Sequence, residues 1–100
     1  IKRKIADLKN CTKSYGSSMA KVVHKRLNQF DAAPNLETMR GLGDCHGLRG
    51  KMNGNFAIDL QGPYRLIFRP LGDPLAYTEK GSIIWKKILE IEIVSIENYH

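Results

Sequence analysis

Residues 54–69 read GNFAIDLQGPYRLIFR, and their alternation decides the fold. Phe56, Ile58 and Leu60 alternate with Ala57, Asp59 and Gln61; Gly62-Pro63 turns the chain; Tyr64, Leu66 and Phe68 then alternate with Arg65, Ile67 and Arg69. Two period-two runs joined this tightly predict neighbouring antiparallel strands with Arg65 and Arg69 on one face. On the N-terminal side, Asn53-Gly54 is a hairpin signal, and a short strand-like piece from Cys45 to Arg49 precedes it. On the other side, Pro70, Gly72, Pro74 and Gly81 mark a long loop over residues 70–82. Residues 83–96 are β-prone, with Leu89, Ile91 and Ile93 expected on one side and Glu90 and Glu92 on the other.

The first third has a different period. Ile1, Ile5, Leu8 and Cys11 recur at helical spacing, with Tyr15 one turn on, so residues 1–15 read as a helix. Gly16 breaks the pattern. Ser17 or Ser18 caps a second helix whose stripe is Met19, Val22, Val23, Leu27 and Phe30. So short a link predicts an αα-hairpin. Pro34 ends the second helix, and Asn35 is placed to cap a short turn carrying Leu36 and Met39. The expected architecture is α+β: an N-terminal helical hairpin packed on an antiparallel sheet, as one domain over residues 1–100, with the other sheet face left for a ligand.

Composition narrows the function. The net charge of +6 is uneven: residues 1–30 carry +7 and residues 31–100 carry −1. Such an excess suits a polyanion or an acidic protein partner, and equally a solvated surface. No apolar run nears the roughly 20 residues that span a bilayer, and no signal peptide is evident, so a cytoplasmic protein is expected. Cys11 and Cys45 form no CxxC or Cys/His series and read as buried thiols; no metal or other cofactor is expected.

Three blocks together resemble a known family. Cys45-His46-Gly47-Leu48-Arg49-Gly50 resembles the CHxLKG segment of HigB-like toxins; residues 54–69 resemble GxWSLDLxGPYRLIFxP; residues 89–100, LEIEIVSIENYH, resemble a tail written ILEIxDYH. The resemblance covers essentially the whole chain, and its specific part is the C-terminal half. It implies a RelE/ParE-type fold and a type II toxin that cuts mRNA on the ribosome. It also implies a helix-turn-helix antitoxin of HigA type, with operator DNA bound only through that partner. The family usually starts with an extra strand, and this chain is expected to begin just after it. Asn98 replaces the usual aspartate of the tail.

RNA cleavage by 2′-oxygen attack needs a base, an acid and a fixed cation, without a metal. The resemblance assigns this work to His46 and His100, with Tyr99 to stack on a base or donate its hydroxyl. Arg65, mid-strand among apolar residues, suits a bidentate grip on phosphate, and a salt bridge to Asp59 competes with that use. Arg49, Lys51 and Arg69 are candidate RNA contacts, and Asn98 has an open role. His24 lies off the apolar stripe and reads as exposed and non-catalytic. Trp85 reads as an edge of the core. Two other functions fit the same fold: a ParE-like poison of DNA gyrase, which needs neither histidine, and a catalytically impaired RNA-binding relic.

Overall fold

The computed structural model describes residues 1–5, 9–48, 54–72, 78–79 and 82–98, with backbone alone for 9–15, 78–79 and 82–83. The element order is β1 (Lys2–Ile5), α1 (Lys9–Ala32), a 3-10 turn (Leu36–Met39), β2 (His46–Gly47), β3 (Phe56–Asp59), β4 (Tyr64–Pro70), β5 (Thr78–Glu79), β6 (Ser82–Ile83), a second 3-10 turn (Trp85–Lys87) and β7 (Glu90–Asn98). Five strands form one sheet in the order β1-β7-β4-β3-β2, and β5 and β6 pair separately. The β3–β4 hairpin follows the alternation of the sequence, pairing Phe56 with Phe68, Ile58 with Leu66 and Asp59 with Arg65.

The core lies between this sheet and α1. Met19, Val23, Leu27 and Phe30 from the helix meet Phe56, Ile58, Leu66, Phe68, Ile91, Ile93 and Ile96 from the strands. Phe30 meets Phe68 edge-on at 4.9 Å between centroids, and Phe56 stacks on Phe68 at 5.6 Å. Trp85 closes the core's rim: its ring meets Phe56 edge-on, and the Arg40 guanidinium lies over it. In β7 one extra residue is accommodated opposite Ile67 and Phe68, which pair with Ser95 and Ile93. This bulge shifts the alternation by one, so Ile91, Ile93 and Ile96 all face the core.

The helical reading of residues 1–15 fails at its start. Residues Lys2–Ile5 form a strand parallel to β7, so the sheet is mixed and a leading strand is present. Ile1 and Ile5 satisfy helical and strand periods alike, because four is a multiple of two. Pairing decides between them: Lys2 and Lys4 stand beside Glu90 and Glu92, and Arg3 clasps Asp31 of α1 through two hydrogen bonds of 2.8 and 3.2 Å. The helix is interrupted at Gly16, whose φ of 85° and ψ of 179° are not helical, as the sequence break requires. A distinct hairpin is not resolved; the side chains of 9–15, Cys11 among them, lie outside the described residues. The stretch 83–96 is not one strand. The Trp85–Lys87 turn interrupts it, and Leu89, just before β7, is 59% exposed. The 70–82 loop carries the small β5–β6 hairpin. Asn35 precedes the first 3-10 turn without a side-chain capping bond.

Two consequences are measurable. Phe68→Ala removes the ring shared by helix and hairpin and should cost about 3–5 kcal/mol in denaturant unfolding. The Arg3 hydrogen bond holds the Asp31 carboxyl below its ordinary 3.8. A depressed carboxyl contributes stability above its unfolded value and loses it as pH falls through the folded one. The stability difference between wild type and Asp31→Asn should therefore be complete at neutral pH and shrink below pH 3.8.

Candidate active site

Strand alternation sets the face turned away from α1. Register places His46, Ala57, Ile67 and Ser95 in one row across β2, β3, β4 and β7, and Asp59, Arg65 and Glu97 in the next. Arg69 follows on the same face of β4, opposite Glu92. The centre of this face is not the open platform expected: Ala57 and Ile67 are fully buried. The ionisable groups therefore stand around a closed apolar centre.

His46 lies on the edge strand β2, about half exposed. Its Nδ1 is 2.6 Å from the Asp44 carbonyl oxygen. A carbonyl only accepts, so a neutral ring making this contact carries its proton on Nδ1 and its lone pair on Nε2. Asp44 has a φ of 51° and follows Gly43 at 54°, so two successive left-handed residues bring the carbonyl back to the ring. Sequence reasoning missed Asp44. Its signal was the Gly43-Asp44 pair directly before Cys45-His46, a combination suited to left-handed backbone. Cys45 is buried between them, and burial pushes its thiol up to about 12, so it is an inert core group.

The arginines are already engaged. Arg65 Nε lies 2.7 Å from Asp59 Oδ1, and its Nη1 donates to the Tyr64 carbonyl at 3.0 Å. The salt bridge that competed with phosphate binding is thus present. Arg69 donates through Nε to Glu92 Oε1 at 2.7 Å. A phosphate reaching either arginine must exchange with a carboxylate. His46 and Arg65 share the face across the intervening β3, one row apart, so their backbones lie about 12 Å from each other by strand spacing and rise. Asn98 ends β7 opposite Tyr64, in the row beyond Arg65, where alternation turns it to the other face. Arg49, Lys51, Tyr99 and His100 lie outside the described residues. Among the described residues, no group of three or more His, Cys, Asp or Glu is arranged to hold a metal, and no helix is long and apolar enough to cross a membrane.

No family model matches the sequence, and no curated protein matches it. Among solved structures the chain is similar to the YoeB/ParE toxin from Agrobacterium tumefaciens, at a TM-score of 0.64 and 14% identity, with both chains covered in full. The fold is therefore an α+β, RelE/ParE-toxin-like one, with a helix packed on a mixed sheet.

The Asp59–Arg65 pair is partly exposed, so its coupling should be modest. A double-mutant cycle of Asp59→Ala and Arg65→Ala, read by denaturant unfolding, should give roughly 0.5–1 kcal/mol, decreasing with added salt. Zero coupling at low salt would show that the pair does not hold Arg65 in place.

Proposed function

We propose that this protein is the toxin of a type II toxin–antitoxin pair, of the HigB kind, and that it cuts mRNA in the ribosome. The observation that carries this reading is the orientation of His46: Nδ1 is committed to the Asp44 carbonyl, which leaves Nε2 as a base. In the proposed reaction Nε2 takes the proton of a ribose 2′-hydroxyl, and the 2′-oxygen attacks the adjacent phosphorus. The bond to the 5′-oxygen breaks, leaving a 2′,3′-cyclic phosphate. His100 or Tyr99 gives the departing 5′-oxygen its proton. Arg65 bears on the phosphate once Asp59 yields it, and Arg49, Lys51 and Arg69 bind flanking phosphates. No metal or other cofactor enters this scheme. The fold shared with a YoeB/ParE toxin supports it.

Engagement of Arg65 and Arg69 by carboxylates also favours a second reading on the same fold, a protein-binding poison of DNA gyrase. Asn98 in place of aspartate keeps an impaired RNA-binding relic in view. The nuclease reading makes the ribosome a requirement, because an arginine shared with a carboxylate needs its substrate aligned. The proposed partner is a cognate helix-turn-helix antitoxin in the cytoplasm, drawn to the basic helix surface by electrostatic steering. Lys21 and Lys25 are exposed there, whereas Arg26 is half-buried and donates to the Asp59 carbonyl.

Expression of the wild type without antitoxin should arrest bacterial growth, and purified protein should cut ribosome-bound mRNA far faster than naked RNA. His46→Ala should lower cleavage roughly 10²–10⁴-fold with little change in thermal stability, since the ring is half exposed. A fully toxic His46→Ala/His100→Ala double mutant would put the gyrase reading first. Charge reversal at Lys21 and Lys25 should weaken antitoxin capture in a salt-dependent way; indifference would move the interface elsewhere.

A further inference from the structure

We propose that Arg26 is a positioning residue for His46, acting from α1 through the left-handed Gly43-Asp44 turn. The proposal rests on His46 being the base. Among the described side chains of α1, Arg26 is the basic one that turns inward: Nε donates to the Asp59 carbonyl at 2.8 Å, and Nη1 donates to Gln29 Oε1 at 3.0 Å. These bonds hold the guanidinium beside Gly43. A Cβ at Gly43 would lie 2.6 Å from Arg26 Nη2, 2.7 Å from Cζ and 2.9 Å from Ile58 Cγ1. A side chain at this position would be strained by the φ of 54° and would have to displace the guanidinium and Ile58 Cγ1.

The same few atoms join the two halves of the site. The Asp59 amide donates to the Gly43 carbonyl at 2.7 Å, while the Asp59 carbonyl receives Arg26. Asp59 is therefore tied by its backbone to the His46 side and by its carboxylate to Arg65. Gly43 leads directly into Asp44, whose carbonyl fixes the ring of His46. The left-handed backbone at Asp44 persists only where its surroundings hold it, and Arg26 with Asp59 supplies that hold. Arg26 touches no reacting atom in this scheme; it sets which nitrogen of His46 is the base.

The test reads the ring of His46 directly. Nitrogen NMR of the folded wild type should show the neutral imidazole protonated at Nδ1. Arg26→Lys keeps the charge but loses the fork, and Gly43→Ala displaces the guanidinium from the other side. In both, the ring should shift toward the Nε2-protonated form. Cleavage of ribosome-bound mRNA should fall in kcat, on the order of 10²-fold for a misplaced base, with KM unchanged. Should Arg26→Lys not fold, the wild-type tautomer and Gly43→Ala still decide. A wild-type ring protonated at Nε2, or spectra and kcat unchanged in the folded variants, would overturn the proposal. The tautomer needs no cleavage to be read, so active His46→Ala would count against the proposed function and leave the role of Arg26 separately measured.

Discussion

Everything in this fold depends on the central position of β4, which is hydrogen-bonded on both sides. Its two faces have opposite chemistry: Leu66 and Phe68 enter the core, while Arg65 and Arg69 stand on the other side with buried Ile67 between them. A slip of one residue would bury two guanidinium groups and expose Phe68, at a cost far above a domain's net stability. Register is therefore fixed by side-chain chemistry, and the neighbouring strands inherit it. The bulge in β7 is the adjustment that lets a longer partner keep Ile93 and Ile96 both inward against this strand.

From that register follows the character of the candidate site. The face away from the helix is built from ion pairs at its borders and small or apolar side chains at its centre. Asp59 pairs with the half-buried Arg65 and Glu92 with the exposed Arg69. Such an arrangement keeps the cationic groups in place, with a carboxylate beside each that an incoming phosphate must compete with. Under the proposed nuclease reading, that competition favours a substrate presented by a larger machine over loosely bound RNA. The histidine, by contrast, sits on an edge strand, and its order comes from a turn tethered to β3 and to the helix.

The hairpin of β3 and β4 was legible because alternation, the Gly62-Pro63 turn and the facing Asp59 and Arg65 all agree. The stripe of α1 was legible for the same reason, and Trp85 took its place at the rim of the core. What could not be read were features decided by partners distant in sequence. Strand β1 owes its conformation to β7, some ninety residues on, and its own four residues suit helix equally. The break at Trp85–Lys87 interrupts a run whose composition is uniformly strand-like. In the site, His46 was visible within its motif, and the Gly43-Asp44 pair signals a left-handed turn, but only the fold shows that this turn brings the Asp44 carbonyl to the ring. Nothing in the sequence sets Arg26 apart from the other basic residues of positions 1–30. Only the tertiary fold brings Asp59 and Gly43 beneath it.

The proposed RNA cleavage runs through an oriented histidine on the β2 edge of a fold similar to that of a YoeB/ParE toxin. Mapping the 5′ ends of cellular mRNAs after a brief pulse of expression addresses it most directly. The account predicts new 5′-hydroxyl ends within codons at the ribosomal A site, absent in cells expressing His46→Ala. Growth arrest without such ends, accompanied by DNA breaks at gyrase sites, would contradict it.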